Sequence, residues 1–339
     1  MISPKNIRAF RGSLLRWYRR HGRDLPWRRT RDPYAILVSE FMLQQTQVAT
    51  VIPYYDEWLR RFPDFASLAD ACENDVLRAW QGLGYYARAR NLHDSAKTVM
   101  DRHRGRLPRS VEQMQQLPGL GRYTAHAIAT FAFNQSVPIV EANTARVLTR
   151  LFDFRESIDS VAGRKTLWQY AATLLPKSNA RIYNSALTDL GALVCIPREP
   201  KCGICPVKKF CRAGNPKKLP VRKSRPRTTR LVEKHAFMVR QGKIRLEQSS
   251  KRWRGMWILP PLEVDSESVR ESSFHRRAIY TSVFPFTNHR VALKVYAERS
   301  RKIDKHSQRW IRINSLESIP IPLPHRRALQ HLLQRDPHN

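Results

Sequence analysis

The sequence predicts a multidomain protein with an all-α N-terminal domain and a smaller α+β C-terminal domain. Three observations lead to this prediction. Apolar residues recur at helical spacing through residues 7–194, two Gly-Leu-Gly turns interrupt the helical pattern, and short β-like runs replace it after a basic, proline-containing stretch. A chain of 339 residues is long enough for one or two domains with hydrophobic cores of their own.

Basic side chains dominate the composition. The chain has 61 Lys and Arg residues against 28 Asp and Glu, a formal net charge of +33. Such a charge favours a nucleic-acid partner, because phosphate binding releases counterions. A solvated basic surface or an anionic membrane is the alternative, but no apolar run reaches the length of a membrane span and the first residues lack a secretory signal. We therefore expect no membrane association and a location in the cytoplasm, in the nucleoid of a bacterium.

The first helices carry a candidate proton donor. Apolar spacing predicts a helix over 7–20, which Asp24–Arg28 interrupts, and Asp32-Pro33 then predicts the start of a helix over about 33–52. Glu40 lies inside the apolar run of this second helix. Burial would raise its pKa and prepare it to donate a proton near neutral pH. The alternative is that Glu40 reaches water or bonds a neighbouring helix end.

Two glycine hairpins punctuate the helical region. Gly82-Leu83-Gly84 precedes a helix that begins with tyrosines and arginines, and Gly119-Leu120-Gly121 precedes the apolar helix Tyr123–Phe131. Glycine accepts a positive φ without steric cost, so we expect a tight turn at both corners of each hairpin. A hairpin that opens a helix presents free N–H groups suited to a phosphate, and tyrosines beside arginines favour base stacking and phosphate contact. Together the two hairpins favour DNA binding.

A second carboxylate lies at a predicted helix start. Glu141 precedes the helical run that contains Asn143. The helix dipole favours an ionised carboxylate there, whereas Glu40 is expected to be protonated. Two carboxyl groups in opposed environments are typical of an acid and an electrostatic stabiliser. The alternative for Glu141 is an ordinary acidic residue at a helix start.

Four of the five cysteines lie close together in the sequence. Cys72 stands alone in a helical segment, where packing is expected, and the others follow the pattern C-x6-C-x2-C-x5-C. In a cytosolic protein such a group indicates metal rather than disulfides. Four thiolates suit zinc or an iron–sulfur cluster, and the single short CxxC pair favours one cubane cluster. The four ligands are Cys195, Cys202, Cys205 and Cys211.

Residues 212–234 are expected to form an extended basic linker, because they are rich in Lys, Arg and Pro without apolar periodicity. Beyond them lie short β-like runs and a final helix from Leu323 to Leu333. The predicted boundaries are therefore a helical domain over 1–211 with the cysteine loop at 195–211, a linker over 212–234, and an α+β domain over 235–339.

These motifs resemble the adenine DNA glycosylases of the MutY type, in the helix-hairpin-helix superfamily. The resemblance covers nearly the whole chain and rests on the sequences LPWR, SEFMLQQTQV, GLGYYAR and LPGLGRYTA and on the cysteine loop. The LPGLGRYTA hairpin and the cysteine loop alone would also suit endonuclease III. The Gln44–Gln47 block and the C-terminal domain favour the MutY type. The resemblance implies a helix-hairpin-helix glycosylase domain holding a [4Fe-4S] cluster on the four cysteines, followed by a MutT-like domain of Nudix type.

The resemblance also implies a reaction. These enzymes act as monomers on double-stranded DNA containing A·8-oxoG or A·G mispairs, flip the adenine and hydrolyse its N-glycosidic bond. Glu40 matches the general acid that protonates adenine N7, and Glu141 and Asn143 match an aspartate and asparagine that stabilise the oxocarbenium-like sugar. Tyr123, which supports the stabilising carboxylate in the family, stands where bifunctional relatives carry a lysine. No Schiff base can form there, so a monofunctional glycosylase is expected.

Further positions match residues that the family places beside a base or a phosphate. Asn288 and His289 lie in the loop that reads 8-oxoguanine, after a Trp253–Pro260 stretch that matches W-x-G-x-W-x-x-P; no Nudix box is present, so pyrophosphate hydrolysis is not expected. The implied substrate contacts are Arg23, Leu25, Trp27, Arg28 and Ser185 at the adenine, Gln45 in the base stack, and Leu83, Tyr85, Asn288 and His289 at the 8-oxoguanine. The implied phosphate contacts are Gly119, Gly121 and Arg88.

Three positions depart from the family pattern. Glu141 replaces the aspartate, and a displacement near 1 Å can cost on the order of 10²-fold in rate, although we expect the backbone to adjust. Ser185 replaces a Glu or Gln next to adenine, and Asn288 replaces the serine of a Phe-Ser-His loop. These departures leave two alternatives, a thymine or uracil mismatch glycosylase of the same superfamily and a non-catalytic mispair-binding protein.

Overall fold

The computed structural model describes residues 4–224, 228–262, 277–298 and 307–335. Its contacts divide the chain into two compact units, residues 1–69 with 94–224 and residues 70–93 with 225–339. The first unit is helical and the second is α+β, as the sequence predicts. The stretch 70–93, which carries the first glycine hairpin, makes its contacts with the second unit; for example, Nη1 of Arg90 donates to the carbonyl oxygen of Arg254 at 2.8 Å. The domain boundaries drawn from the sequence stay a prediction.

The N-terminal two thirds of the chain form a succession of helices. None of the helices in the described ranges is long and apolar enough to span a membrane. The helices are α1 Pro4–His21, α2 Pro26–Arg29, α3 Pro33–Leu43, α4 Val48–Arg61, α5 Phe65–Asp70, α6 Glu73–Ala79, α7 Ala87–His103, α8 Val111–Met114, α9 Arg122–Phe131, α10 Ala142–Phe152, α11 Val161–Leu174 and α12 Ala180–Leu193.

The single helix predicted over 33–52 is two helices, and that prediction is wrong. Gln45 has a φ of 58°, in the left-handed region, so it cannot continue a right-handed helix. α3 therefore ends at Leu43 and α4 begins at Val48. α3 is buried over Tyr34–Met42 and packs against α4 and α9, which places Glu40 inside the unit. As predicted, Asp32 caps α3 by accepting from the backbone N–H groups of Tyr34 and Ala35.

The core beneath the cysteine loop joins α1, α10, α11 and α12. α10 and α12 approach closely at Gly191, where an added Cβ would lie 2.7 Å from Cβ of Asn143. This contact requires glycine and fixes the beginning of α10 against α12. The buried apolar side chains of this core include Phe10, Leu14, Val147, Leu148, Leu151, Leu167, Ala171, Tyr183, Leu187, Leu190 and Val207.

The second hairpin needs a positive φ at only one of its glycines. Gly119 has a φ of 76°, whereas Gly121 has a φ of −75° and is the N-cap of α9. The expectation of a strained corner at Gly121 is therefore wrong. A Cβ at Gly121 would meet no atom of the described residues within 4 Å. Its backbone is therefore open to a ligand at the start of α9.

Two sheets and a helix make up the rest of the second unit. The strands are β1 Thr229–Phe237, β2 Val239–Arg240, β3 Lys243–Gln248, β4 Trp257–Ile258, β5 Tyr280–Phe286, β6 His289–Ala297 and β7 Gln308–Arg312, followed by α13 Leu323–Arg335. One sheet has the order β1-β6-β5, with β1 and β6 parallel and β5 and β6 antiparallel. In the other, β3 pairs with β2, β4 and β7. The apolar faces of both sheets and of α13 enclose a separate core.

The segment predicted as an extended linker is partly structured where it is described. β1 begins at Thr229, inside that segment, because Thr229–Lys234 pair in register with His289–Lys294 of β6. Residues 216–218 form a short 3-10 helix, and Leu219 is buried. Nε of Arg150 donates to the carbonyl oxygens of Pro216 and Leu219 at 2.8 and 3.2 Å. These contacts attach the segment to the first unit, which composition alone did not reveal.

Candidate active site

A cavity of about 200 Å³ in the first unit brings together most of the candidate site residues. α2, α3, α9, α10 and α12 and the loops beside them surround it. Nine of the residues proposed from the sequence line it, including both carboxyl groups and the implied adenine contacts. The lining residues are Arg23, Leu25, Trp27, Arg28, Ile36, Ser39, Glu40, Leu43, Thr46, Val48, Tyr123, Phe131, Glu141, Asn143, Arg181, Ser185 and Thr188.

Glu40 is the buried acid of this cavity. Its side chain comes from α3 and the residue is 5 % exposed. Burial raises the pKa of Glu40 to about 7, and the charge of Glu141 adds to the rise, while a hydrogen bond with Tyr123 and the charge of Arg28 oppose it. Oε2 of Glu40 has no hydrogen-bond partner among the described residues. The structure buries Glu40, as the apolar run around it suggested, and with this pKa Glu40 can deliver a proton near neutral pH.

Glu141 caps α10 with its own carboxylate. Oε2 accepts from the backbone N–H of Asn143 at 2.7 Å and Oε1 from that of Thr144 at 2.9 Å. The hydroxyl of Thr144 in turn accepts from the backbone N–H of Glu141 at 2.8 Å, which completes a capping box. Both carboxylate oxygens thus face donors, the arrangement that stabilises negative charge at a helix start.

Glu141 is harder to ionise than its position at a helix start predicts. Burial raises the pKa of Glu141, although the N–H groups of Asn143 and Thr144, the charge of Arg146 and the Asn143 side chain all lower it. Helix-start position alone predicted that the charged form would prevail, and the desolvation that opposes it comes from tertiary packing. The two carboxyl groups still differ in their hydrogen bonds. Both oxygens of Glu141 accept from backbone N–H groups, whereas Oε2 of Glu40 has no partner among the described residues.

Arg146 connects the carboxylate of Glu141 to the cysteine loop. Its Nη2 donates to Oδ1 of Asn143 at 2.8 Å and to the carbonyl oxygen of Gly191 at 2.8 Å, and its Nε donates to the carbonyl oxygen of Cys195 at 2.7 Å. Because Oδ1 of Asn143 accepts from Arg146, the amide NH₂ of Asn143 is left to face Glu141, to which the side chain bonds. Arg146 was not identified from the sequence, since an arginine inside a helix gives no signal of its partners.

Tyr123 lies between the two carboxyl groups. Burial and the charges of Glu40 and Glu141 hold the pKa of the Tyr123 phenol well above its usual range, so it remains a donor. Its hydrogen bond goes to Glu40. The resemblance implied support of the stabilising carboxylate, Glu141, and the structure instead joins the phenol to the acid.

Arg23 and Arg28 form one wall of the cavity and share a buried partner, Asp189. Nη1 and Nη2 of Arg28 donate to the two oxygens of Asp189 at 2.6 and 2.8 Å, and Nε of Arg23 donates to Oδ1 at 2.7 Å. Nη2 of Arg181, also in the wall, donates to the carbonyl oxygens of Arg28 and Thr30. Asp189 is not among the candidate residues identified from the sequence, although its position inside the apolar run Ala186–Leu193 is the same signal that identifies Glu40.

Several implied base contacts lie outside the cavity. Gln45 is exposed in the turn between α3 and α4, where its positive φ makes the side chain protrude. In the second unit Leu83 is buried and Tyr85 is 45 % exposed. Asn288 is exposed in the β5–β6 turn, and Nδ1 of His289 is hydrogen-bonded to the hydroxyl of Thr229. Their roles at the opposite base stay predictions.

The guanidinium of Arg88 is buried, whereas a contact to a DNA phosphate requires an exposed one. The residue is 7 % exposed, and burial lowers its pKa to about 10. Its Nη2 donates to the carbonyl oxygens of Leu83 and Gly84 at 2.9 and 3.0 Å, and the guanidinium lies over the rings of Trp80 and Tyr85, at 5.2 and 5.6 Å from their centroids. Arg88 supports the hairpin from within. The prediction of a phosphate contact assumed that the guanidinium of Arg88 is exposed, whereas tertiary packing buries it.

The thiols of the four loop cysteines lie close enough to interact electrostatically. Burial raises the pKa of the Cys205 thiol to about 11, and the neighbouring thiols of Cys195, Cys202 and Cys211 add to the rise. Within the described ranges, no group of three or more His, Cys, Asp or Glu residues is arranged to hold a single metal ion. Four thiols close together are soft donors of the kind that hold zinc or an iron–sulfur cluster.

Arg150 holds the first turn of this loop from the core. It is 1 % exposed on α10. Its Nη1 donates to Sγ of Cys195 at 3.3 Å and to the carbonyl oxygen of Ile196 at 2.8 Å, and its Nη2 donates to that of Pro197 at 2.6 Å. Burial raises the pKa of the Cys211 thiol, and the charge of Arg150 opposes this rise.

Comparison with known proteins places these features in a family. The model of the HhH-GPD superfamily of base excision DNA repair proteins matches residues 38–172. The human adenine DNA glycosylase is 46 % identical over 216 residues, 61 % of this chain and 40 % of that protein. The adenine DNA glycosylase of Mycolicibacterium smegmatis is 45 % identical over 200 residues, 59 % of this chain and 67 % of that protein. The chain belongs to the adenine DNA glycosylase family of this superfamily.

The chain spans about half the length of the curated adenine DNA glycosylases it matches first. The solved structure of a thermostable thymine-DNA glycosylase is 33 % identical, with a TM-score of 0.57, and covers 61 % of this chain and 96 % of that one. The helical fold expected from the glycine hairpins is therefore confirmed.

The arrangement suits removal of a group that must be protonated in order to leave. A buried acid near its pKa can protonate the leaving group, and a second carboxylate with fixed donors can stabilise positive charge that develops beside it. Among the described residues that line the cavity there is no lysine, so none of them offers a side-chain amine for covalent capture of a sugar.

Proposed function

We propose that this protein is a monofunctional DNA glycosylase that hydrolyses the N-glycosidic bond of adenine mispaired with 8-oxoguanine or guanine in duplex DNA. One observation carries the proposal: Glu40, with its pKa raised to about 7, shares a cavity with Glu141. The human and mycobacterial relatives are adenine DNA glycosylases, which supports adenine as the base.

The reaction follows from the two carboxyl groups. Glu40 gives its proton to N7 of the flipped adenine, and the N-glycosidic bond breaks with its electron pair remaining on the base. General acid catalysis of this kind typically contributes about 10²–10⁴-fold. The sugar gains positive charge at C1′, which the Glu141 carboxylate stabilises while Asn143 and Thr144 hold it in place. Water then adds to C1′ and passes a proton to the Glu40 carboxylate, which restores the acid, and the absence of a lysine at the Tyr123 position leaves the strand uncut.

A [4Fe-4S] cluster on Cys195, Cys202, Cys205 and Cys211 is part of the proposal. The convergence of the four thiols and the buried Arg150 beside Cys195 support it. A bound cluster would supply a rigid core for a loop too short to fold on its own hydrophobic contacts, with an electron-transfer capability of its own. Arg146 and Arg150 would hold the loop backbone to α10 with the cluster in place.

The partner is proposed to be duplex DNA, bound by a monomer in the bacterial cytoplasm. The net charge of +33 supports a polyanion. The open backbone at Gly121 supports a phosphate at the start of α9.

The deciding experiment pairs one variant with a panel of duplexes. Parent protein is incubated under single turnover with A·8-oxoG, A·G, T·G and U·G duplexes, and alkali reveals sites that have lost a base. We expect cleavage at adenine only after alkali, and Glu40→Gln to abolish it while duplex binding persists. Release of thymine or uracil would assign a mismatch glycosylase, and tight binding without release would assign a non-catalytic protein. Retained turnover by Glu40→Gln would remove Glu40 from the mechanism.

A further inference from the structure

Asp189 on α12 is a buried carboxylate whose bonds all go to the wall of the cavity. Its side chain is fully buried. Oδ1 accepts from Nε of Arg23 and Nη2 of Arg28, and Oδ2 accepts from the backbone N–H of Arg23 and Nη1 of Arg28, at 2.6 to 2.8 Å. Burial by itself would raise the pKa of Asp189, but the bonds to Arg28 and Arg23 outweigh it and lower the pKa. Asp189 is therefore ionised, with both oxygens occupied.

Arg28 lies near the acid without bonding to it. Its charge is close enough to Glu40 to lower the pKa of that carboxyl group. Both outer nitrogens of Arg28 nevertheless bind Asp189, and Nη1 also donates to the carbonyl oxygen of Arg23 at 3.0 Å. Within the described part of the chain, Oε2 of Glu40 has no hydrogen-bond partner. A guanidinium and an unpartnered carboxyl oxygen thus share one cavity, and Asp189 engages the guanidinium.

Direct pairing of Arg28 with Glu40 would disable the acid. An opposite charge in contact typically lowers a carboxyl pKa by about 1–3 units. Glu40 would then be ionised at neutral pH and would have no proton to give. A nearly buried arginine that loses its partner seeks another, because an uncompensated charge in the interior is costly.

We propose that Asp189 is a positioning residue that keeps Arg28 from pairing with Glu40, so that the acid retains its proton at neutral pH. Asp189 reaches Glu40 only through Arg28. The inference rests on the proposed function, because the proton of Glu40 matters for catalysis only if Glu40 protonates the base.

Of the other charged or titratable groups around Glu40, Arg23 also bonds Asp189, whereas Tyr123, Glu141 and Arg181 have other partners. Tyr123 donates a hydrogen bond to Glu40, and Glu141 raises its pKa through charge. Nη2 of Arg181 is engaged by two backbone carbonyl oxygens. The groups that face Glu40 or line its cavity are Tyr123 from α9, Glu141 from the start of α10, Arg28 from α2, Arg23 from the loop before it, and Arg181 from α12.

The test measures the proton on Glu40 without substrate. The full chain is labelled with ¹³C at glutamate side-chain carboxyl groups, and the Glu40 resonance is assigned by its loss in Glu40→Gln. The parent midpoint is expected at about pH 7. Asp189→Asn, which has nearly the same shape, is expected to move the midpoint down by about 1–3 pH units. Asp189→Ser, a second variant in case the first does not fold, is expected to move it in the same direction.

Matched variants identify the route. Asp189→Asn combined with Arg28→Gln is expected to return the midpoint to the parent value or above, since the competing guanidinium is gone. Arg23→Gln removes the other arginine bound to Asp189 and is expected to leave the midpoint in place. A midpoint unchanged or raised in the Asp189 variants, or a downward shift that survives removal of Arg28, would overturn the proposal.

A second measurement links the proton to catalysis. Under single turnover, the alkaline fall of adenine release is expected to move to lower pH in Asp189→Asn by the same amount as the NMR midpoint. Loss of rate at all pH values with an unmoved profile would assign Asp189 a purely structural role. If the parent protein released no base, the NMR midpoints would still decide the role of Asp189, so the two failures are distinguishable.

Discussion

The guanidinium of Arg146 donates a hydrogen bond to Oδ1 of Asn143 at 2.8 Å, and this bond orients the amide that faces Glu141. The same guanidinium binds the carbonyl oxygens of Gly191 and Cys195. One buried side chain therefore fixes the stabilising carboxylate, the α10–α12 contact and the start of the cysteine loop together. The position of the carboxylate then depends on residues nearly fifty positions away in sequence.

Replacing Arg146 by lysine should raise the activation free energy of base release by more than it lowers the free energy of unfolding. Arg146 has four acceptors, the carbonyl oxygens of Ala142, Gly191 and Cys195 and Oδ1 of Asn143. A lysine keeps the charge but can serve only some of them, and each buried acceptor left unpaired costs about 1–3 kcal/mol. Misplacing the carboxylate by about 1 Å is expected to cost on the order of 10²-fold in single-turnover rate. Arg155→Lys, at an exposed arginine paired with Asp153, is the control. A thermally destabilised Arg146→Lys protein with the parent rate would contradict the positional role.

The buried Glu40 should weaken the fold at alkaline pH. The pKa of Glu40 rises from 4.5 in the unfolded chain to about 7 in the folded protein. The proton of Glu40 therefore contributes to the free energy of unfolding in full below pH 4.5, and this contribution is lost as the pH rises through 7. At 1.36 kcal/mol per unit, the loss is on the order of 3 kcal/mol. Glu40→Gln should therefore unfold at higher urea than the parent at about pH 9 and at similar urea at about pH 4. Equal midpoints at alkaline pH would argue against a buried, titrating Glu40.

Shortening Glu141 to aspartate should separate its two tasks. Aspartate is a good N-cap, so the stability of α10 should change by less than about 1 kcal/mol. The carboxylate, however, withdraws by one C–C bond from the position that this backbone supports, and the single-turnover rate is expected to fall by about 10- to 100-fold. Glu141→Gln, which keeps the length and loses the charge, provides the comparison. An aspartate variant faster than the parent would show that the backbone has not adjusted to glutamate.

The salt dependence of binding should distinguish the two roles considered for Arg88. A phosphate contact removed from an interface lowers the slope of log K against log salt concentration by about one. Because Arg88 holds the hairpin carbonyls from within, Arg88→Met should weaken duplex binding while leaving that slope unchanged. Arg122→Gln, at an exposed arginine in the first turn of α9, is expected to reduce the slope. A reduced slope for Arg88→Met would restore the phosphate contact.

Local patterns allowed much of the site to be predicted. Glu40 was identifiable because a carboxyl group in an apolar helix is rare, and the cysteine spacing indicated a metal loop. Asp189 carries the same signal as Glu40, but its partners, Arg23 and Arg28, lie more than 160 positions away. The break at Gln45 escaped prediction because glutamine is a good helix former, and only its left-handed backbone ends α3.

The sequence by itself determined the helical and α+β classes, the two carboxyl groups, the tyrosine in place of lysine and the four thiols, because spacing and residue type express these directly. Tertiary structure alone decided the protonation and direction of the groups. Burial raises the pKa of Glu141, although the N–H donors at the helix start lower it. Tertiary packing also buries the side chain of Arg88 and pairs Asp189 with Arg28. The physical reason is that desolvation and pairing depend on which distant segments pack together, and no local pattern records that.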